Sequence, residues 1–272
     1  MIPVTKAHAY GNDFLLTPLD RVAGRNLPAL ARAMCARHTG IGGDGLLLYG
    51  LTDDGATMAL LNADGSPSEL SGNGLRCLAA LVIRERERSG AGARHAGFVR
   101  AQTGAGEKTL TLAAKGDGRY TFRAALGPPT DVREEVLEVA DETLPVVTLG
   151  MGNPQCVALM ERLPDLDRFN RLGPGLATHP RFPAGTNVEF AVVESPRTVR
   201  ILIWERGVGP TESSGTGSSA AAVSAMAFGG ADRDVTVIAP GGQQRVEWRE
   251  DGVYLTGWAE IVLDGEWSAA RP

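Results

Sequence analysis

The sequence predicts an α/β fold of two pseudo-symmetric domains, each a mixed β-sheet wrapped around a central helix. Three observations predict it. Landmarks recur in one order at nearly one spacing. Gly11-Asn12-Asp13-Phe14-Leu15 is echoed by Gly152-Asn153-Pro154-Gln155-Cys156-Val157, and Ser71-Gly72-Asn73-Gly74 by Ser214-Gly215-Thr216-Gly217, at offsets of 141 and 143 residues. Both Ser-Gly-x-Gly elements lead into stretches that are apolar nearly all round, and a helix without a polar face is buried. Much of the remaining chain reads as short alternating or β-branched runs between Gly-rich turns.

The elements follow in order. A helix over about 27–37 has Asn26 as its cap and Pro28 in its first turn. Gly42-Gly43-Asp44-Gly45-Leu46-Leu47-Leu48 loosely matches Gly185-Thr186-Asn187-Val188-Glu189-Phe190-Ala191. The first buried helix follows Ser71 and runs to about Arg88; the second covers 218–228 and ends at Gly229-Gly230. Strands are expected at 108–112 and 119–124, flanking the turn-rich stretch 114–118. Further strands are expected at 244–249 and 253–256 around an Asp251-Gly252 turn, and at 261–263. The turn at 114–118 places a domain boundary there. The expected domains are 1–116, joined by a C-terminal strand at about 258–272, and 117–257.

Composition excludes several classes. The chain has 272 residues, 43% hydrophobic and 22% charged, ordinary values for a globular protein. A net charge of −5 argues against nucleic acid or an anionic membrane as partner. No apolar run approaches the roughly 20 residues of a membrane span, and Met1-Ile2-Pro3-Val4-Thr5-Lys6 lacks an apolar leader, so a cytoplasmic protein is expected. Cys35, Cys77 and Cys156 are odd in number and irregularly spaced, which argues against a disulfide framework, and no metal-ligand spacing occurs. The 35 glycines are nearly twice the usual share of about 7%.

The repeated helix starts carry the chemistry. Free N–H groups and the helix dipole make a helix N-terminus a site for an anion, and glycine lets a ligand approach the backbone. Ser is also a favoured N-cap, so either motif alone reads as a cap. The duplication weighs against that plain reading, because a cap needs no counterpart. Two such starts could face each other across a cleft and hold one carboxylate. Arg206, between an apolar strand and a Gly-rich turn, suits either a bidentate clamp on a carboxylate or a surface ion pair. His8, His38, His95 and His179 are scattered, with no carboxylate at a telling spacing.

With these residues in view, the chain resembles the diaminopimelate epimerase family over almost its whole length. The carrying motifs are Gly11-Asn12-Asp13-Phe14, Arg37-His38-Thr39-Gly40-Ile41-Gly42, Asn62-Ala63-Asp64-Gly65-Ser66, Gly72-Asn73-Gly74-Leu75-Arg76-Cys77, Met151-Gly152-Asn153-Pro154, Glu205-Arg206-Gly207 and Gly215-Thr216-Gly217. The resemblance implies a cofactor-independent enzyme that interconverts LL- and meso-diaminopimelate for lysine and peptidoglycan synthesis. A homodimer is in keeping with the family. It also implies that Asn12, Asn62, Asn153 and Asn187 contact substrate, and that Gly72-Asn73 and Gly215-Thr216 donate to its α-carboxylate. Glu205 and Arg206 match a Glu-Arg pair that contacts the distal end and the carboxylate region. Gln155 stands where many members have His.

One departure matters most. The family carries its acid/base cysteines where this chain has Ser71 and Ser214; Cys77 matches a different cysteine of the motif. A thiol with an ordinary pKa near 8.5 ionises readily at a helix start, whereas a Ser hydroxyl needs an adjacent base. The sequence offers no obvious one, so weak or absent turnover is expected. The Ser pair is open to two origins, introduced substitutions or a natural paralogue with changed chemistry. Two other readings stand beside the epimerase: a non-catalytic amino-acid-binding protein, and a racemase or isomerase of the same fold with another substrate. A pyridoxal phosphate enzyme is disfavoured, since Lys6, Lys108 and Lys115 sit in no cofactor motif, and no dinucleotide fingerprint follows a strand.

Overall fold

In the computed structural model, which describes residues 1–68, 70–90 and 97–268, the chain divides into two units, Met1–Ala124 with Gly257–Pro272, and Ala125–Thr256. The first unit begins with a hairpin of β1 (Ile2–Ala9) and β2 (Asn12–Pro18), closed by Tyr10 and Gly11, both at positive φ. After a 3-10 turn at Leu19–Val22 comes α1 (Leu27–Cys35), capped as expected by Asn26, which accepts from Ala29 N at 3.1 Å. The helix stops two residues short of the expected end. β3 (Gly45–Leu51) lies parallel to β2, and β4 (Gly55–Asn62) antiparallel to β3. The short β5 (Pro67–Ser68) returns on β4. Helix α2 (Gly72–Arg88) then crosses to β6 (Phe98–Thr103), parallel to β4, and β7 (Gly106–Gly116) and β8 (Arg119–Gly127) continue antiparallel.

The second unit opens with β9 (Thr130–Val139), whose antiparallel partner is β10 (Glu142–Gly150). From β10 onward it repeats the same pairing scheme. β10 and β11 (Pro154–Leu159) form a hairpin, α3 (Leu166–Ala177) follows, and β12 (Asn187–Ser195) lies parallel to β11. β13 (Thr198–Glu205) and the short β14 (Gly209–Thr211) are antiparallel returns. Helix α4 (Gly215–Phe228) crosses to β15 (Asp234–Ala239), parallel to β13, and β16 (Gly242–Arg249) and β17 (Gly252–Trp267) complete the meander. Every pairing type and both helix insertions recur in order, so the echo in the sequence is an echo of topology. Parallel pairs among antiparallel ones make each sheet mixed, as expected.

Three features differ from the sequence reading. The turn at 114–118 is the β7–β8 hairpin, with Asp117 and Gly118 at positive φ, internal to the first unit. The strands expected at 253–256 and 261–263 are one 16-residue strand. Its start pairs with β16 and residues 260–267 pair with β1; residues 269–272 of the expected C-terminal strand, like His95, lie outside the described residues. Helix α3 was not expected, because Gly173-Pro174-Gly175 inside it reads as a turn. Its start is nevertheless marked: Asp165 caps it by accepting from Arg168 N at 2.8 Å.

Both faces of the second sheet are covered, which explains its runs of consecutive apolar residues. On one face Val157, Ala191, Ile201 and Val237 pack with Ala220–Val223 of α4. On the other, Cys156, Val188 and Phe190 pack with Phe169, Leu172 and Leu176 of α3. Small side chains let α4 lie deep, with Ala220, Ala221, Ala222 and Val223 fully buried. Gly173 of α3 serves close packing too, since a Cβ there would stand 2.5 Å from the Trp204 ring. Gly173→Ala is expected to destabilise the protein by about 1–3 kcal/mol, as overpacking does; a melting temperature unchanged from the unsubstituted chain would contradict this. No helix among the described residues is long and apolar enough to cross a membrane.

Candidate active site

In the first unit, Ser71 ends the approach to α2 in extended conformation, φ −127° and ψ 123°, and its Oγ accepts from Gly74 N at 3.1 Å. That bond is an N-cap, and it leaves the hydroxyl proton free to donate. Asn73, buried in the first turn, donates through Nδ2 to Asn12 Oδ1 at 3.1 Å. Asn12 in turn donates to Asp44 Oδ2 at 2.7 Å, while Arg76 donates to Asn73 Oδ1. A chain Asp44–Asn12–Asn73–Arg76 therefore joins the β1–β2 hairpin, the loop before β3 and the start of α2. It brings together two of the expected site residues, Asn12 and Asn73. Asn62 turns to its own loop, donating to Ser66 Oγ at 2.9 Å.

The hairpin end of this chain is held by charge. Asp13 receives Arg37 at 2.9 Å and Lys6 at 2.9 Å, and Arg37 also meets Asp44 at 2.7 Å. Burial works to raise the Asp13 pKa, but hydrogen bonds from Arg37 and Lys6 outweigh it and hold the carboxyl below the usual value. A folded-state pKa below the unfolded one stabilises the fold at pH above the ordinary Asp value of about 3.9, and that contribution is lost as pH falls through the depressed value. Asp13→Asn is thus expected to move the acid-unfolding midpoint to higher pH; an unmoved midpoint would show that the cluster is energetically idle.

The second unit builds its site on the equivalent elements. Ser214 is nearly buried, with φ −135° and ψ 129°, and its Oγ accepts from Gly217 N at 3.2 Å at the start of α4. Asn153 sits in the β10–β11 turn, and buried Gln155 donates to its Oδ1 at 2.6 Å. Gln155, which stands where many members of the resembled family have His, thereby orients Asn153. Asn187 opens β12, beside Gln155 in register, and its Oδ1 accepts from Arg206 N at 2.9 Å. The Arg206 guanidinium donates to Ala184 O at 2.7 Å, so this side chain folds onto the loop before β12 rather than into a surface ion pair. Glu205 ends β13.

Two residues of this site were missed from the sequence. Asp44, noted in the sequence only as part of the stretch that matches 185–191, anchors Asn12. Glu189 is fully buried on β12, and neither carboxyl oxygen has a hydrogen-bond partner. Burial first, then the nearby Glu205 charge, pushes its pKa well above the ordinary value. Its signal was faint: an acid two residues after Asn187, in phase with the inward-facing Ala191. The three cysteines are free and buried, and burial pushes the Cys77 thiol up to about 12, so it offers no acid or base in place of position 71. Among the described residues no group of three or more His, Cys, Asp or Glu could hold a metal ion.

Comparison with known proteins shows the family and the fold. The family model described as diaminopimelate epimerase matches residues 4–129 and 147–262. A diaminopimelate epimerase of Desulfitobacterium hafniense is 39% identical, with 96% of each chain covered. That of Desulforudis audaxviator is 40% identical, covering 98% of this chain and 99% of the relative. Among solved structures, a probable proline racemase from Agrobacterium radiobacter superposes with a TM-score of 0.73 at 16% identity, covering 99% and 94% of the two chains. A hydroxyproline epimerase from Agrobacterium vitis superposes at 0.70 and 16% identity, covering 97% and 91%. These two are similar in fold.

Proposed function

We propose, from the premise that the chain belongs to the diaminopimelate epimerase family, that it binds diaminopimelate at its two matched helix starts and that Ser71 and Ser214 stand in the acid and base positions. The observation that carries this is the equivalence of those starts. In each unit a Ser caps a buried helix, at the same step of the same strand order, by accepting from the third residue on. Each unit is then one epimerase half.

Epimerisation at an α-carbon needs one group to take the α-proton and another to protonate the opposite face. Negative charge spreads onto the substrate carboxylate as the proton leaves. Backbone N–H groups of Gly72-Asn73 and Gly215-Thr216, with the dipoles of α2 and α4 behind them, suit that charge. Asn12, Asn62, Asn153, Asn187, Glu205 and Arg206 suit the two polar ends of the substrate. No cofactor enters this scheme. The Ser hydroxyls cap the two helices as expected but are too weakly acidic to exchange protons quickly near neutral pH, so turnover is slow while binding persists. Incubation of LL- and meso-diaminopimelate in deuterated water tests this: tight binding with little deuterium at the α-carbon is expected, and rapid exchange would refute the impairment. Binding of neither isomer would refute the substrate assignment.

A further inference from the structure

We propose that Glu189 holds the proton of the second helix start: the N-terminus of α4 takes up a substrate carboxylate together with a proton, and Glu189 carries that proton. The inference rests on the reading of this helix start as a carboxylate site. Three observations support it. Glu189 is fully buried, and both carboxyl oxygens lack partners. Its face of β12 is turned to α4, since Ala191 on the same face packs into the α4 core. Its Oε1 lies against Gly217, where a Cβ would collide with it, and that same point is 3.1 Å from Ser214 Cβ. The carboxyl and the Ser214 side chain thus flank one glycine of the first turn.

The electrostatics follow from this placement. An ionised Glu189 would set a negative charge at the positive end of α4 and repel an incoming carboxylate. A protonated Glu189 would not. The charge acting on it comes from Glu205 at the end of neighbouring β13, and is also negative. Cys156, on β11, has a thiol pushed up by burial and stays neutral. Residues 215–228 of α4 include no charged side chain. Burial and Glu205 already favour the protonated form. A bound anion favours it further, so binding above the titration of the free carboxyl draws one proton from solvent.

The test is calorimetric titration of the full chain with meso-diaminopimelate across the neutral and mildly alkaline range, in buffers of different ionisation enthalpy. Glu189→Gln keeps the size of the side chain and removes its titration. The unsubstituted protein is expected to take up close to one more proton per ligand than Glu189→Gln at the alkaline end. Its affinity should fall by up to tenfold per pH unit relative to the variant. Protonation of the ligand's own amines is common to both proteins and cancels. Infrared difference spectra of the unsubstituted protein supply a second readout should the variant fold poorly: a protonated-carboxyl band gained on binding supports the proposal, and its absence throughout the alkaline range overturns it. Binding with equal proton uptake in both proteins overturns this inference alone. No binding by the unsubstituted protein at any pH overturns the functional reading, and the inference with it.

Discussion

Ser71→Cys combined with Ser214→Cys is expected to raise epimerisation of diaminopimelate by at least about 10²-fold, within the range that a positioned proton-transfer group supplies. Each single substitution should restore only half of the reaction. One thiolate can exchange the α-proton of the isomer whose proton faces it, but inversion needs an acid on the other face. Single variants should therefore show solvent exchange in one isomer with little product. The geometry favours the substitution, because both positions already sit at helix starts with side-chain oxygens 3.1 and 3.2 Å from a first-turn N–H. A thiol there gains acidity from the helix dipole. Sulfur is a poorer cap than oxygen, so the double variant should be less stable by about 1 kcal/mol per helix at most. Deuterium wash-in followed by NMR separates the cases. Full inversion by either single variant would refute the two-group assignment, and a double variant no faster than the parent would refute the role of both positions.

The helix starts and the two-half plan were legible because they rest on local signals. Asn26, Ser71 and Ser214 are good caps in the right place, and each does cap its helix. The echo of Gly11-Asn12 in Gly152-Asn153 marks two hairpins that occupy one step of one repeated topology. Helix α3 was illegible because Pro174 and its flanking glycines carry a strong turn signal, which packing against Phe190 and Trp204 overrides. The long β17 was divided because its pattern changes along its length, from buried residues near Val253 to exposed ones from Val262 onward. In the site, the amides were legible only through resemblance. The support from Asp44 was not, because it meets Asn12 from 32 residues away, a pairing that spacing does not encode; Arg76 lies one helical turn from Asn73, but its hold on Asn12 passes through the Asn73–Asn12 bond across 61 residues.

Arg76 shows how such a support separates function from stability. Its side chain is 2% exposed and donates to Asn73 Oδ1; its guanidinium lies 5.7 Å from the Tyr10 ring centre, and its Nε has no partner. Burial depresses its pKa, and the groups that offset this are Tyr10 and Cys77 rather than a carboxylate. Desolvating a cation in this way costs free energy, and an apolar residue of similar volume relieves that cost. Arg76→Met also leaves Asn73 Oδ1 without this donor, at about 1–3 kcal/mol. The opposing effects are of similar size, so stability is expected to change by less than about 2 kcal/mol. Function has no such compensation. Without Arg76 the Asn73 amide can turn, and the Asn12 amide loses the donor that fixes it against Asp44. In the double Cys background KM should rise roughly tenfold, equivalent to about 1.4 kcal/mol of binding. Adding Asn12→Ala to Arg76→Met should then cost less than the two effects summed, since both act through one chain of hydrogen bonds. Additive losses would mean that Arg76 and Asn12 act independently. An unchanged KM with a large fall in melting temperature would make Arg76 a structural residue.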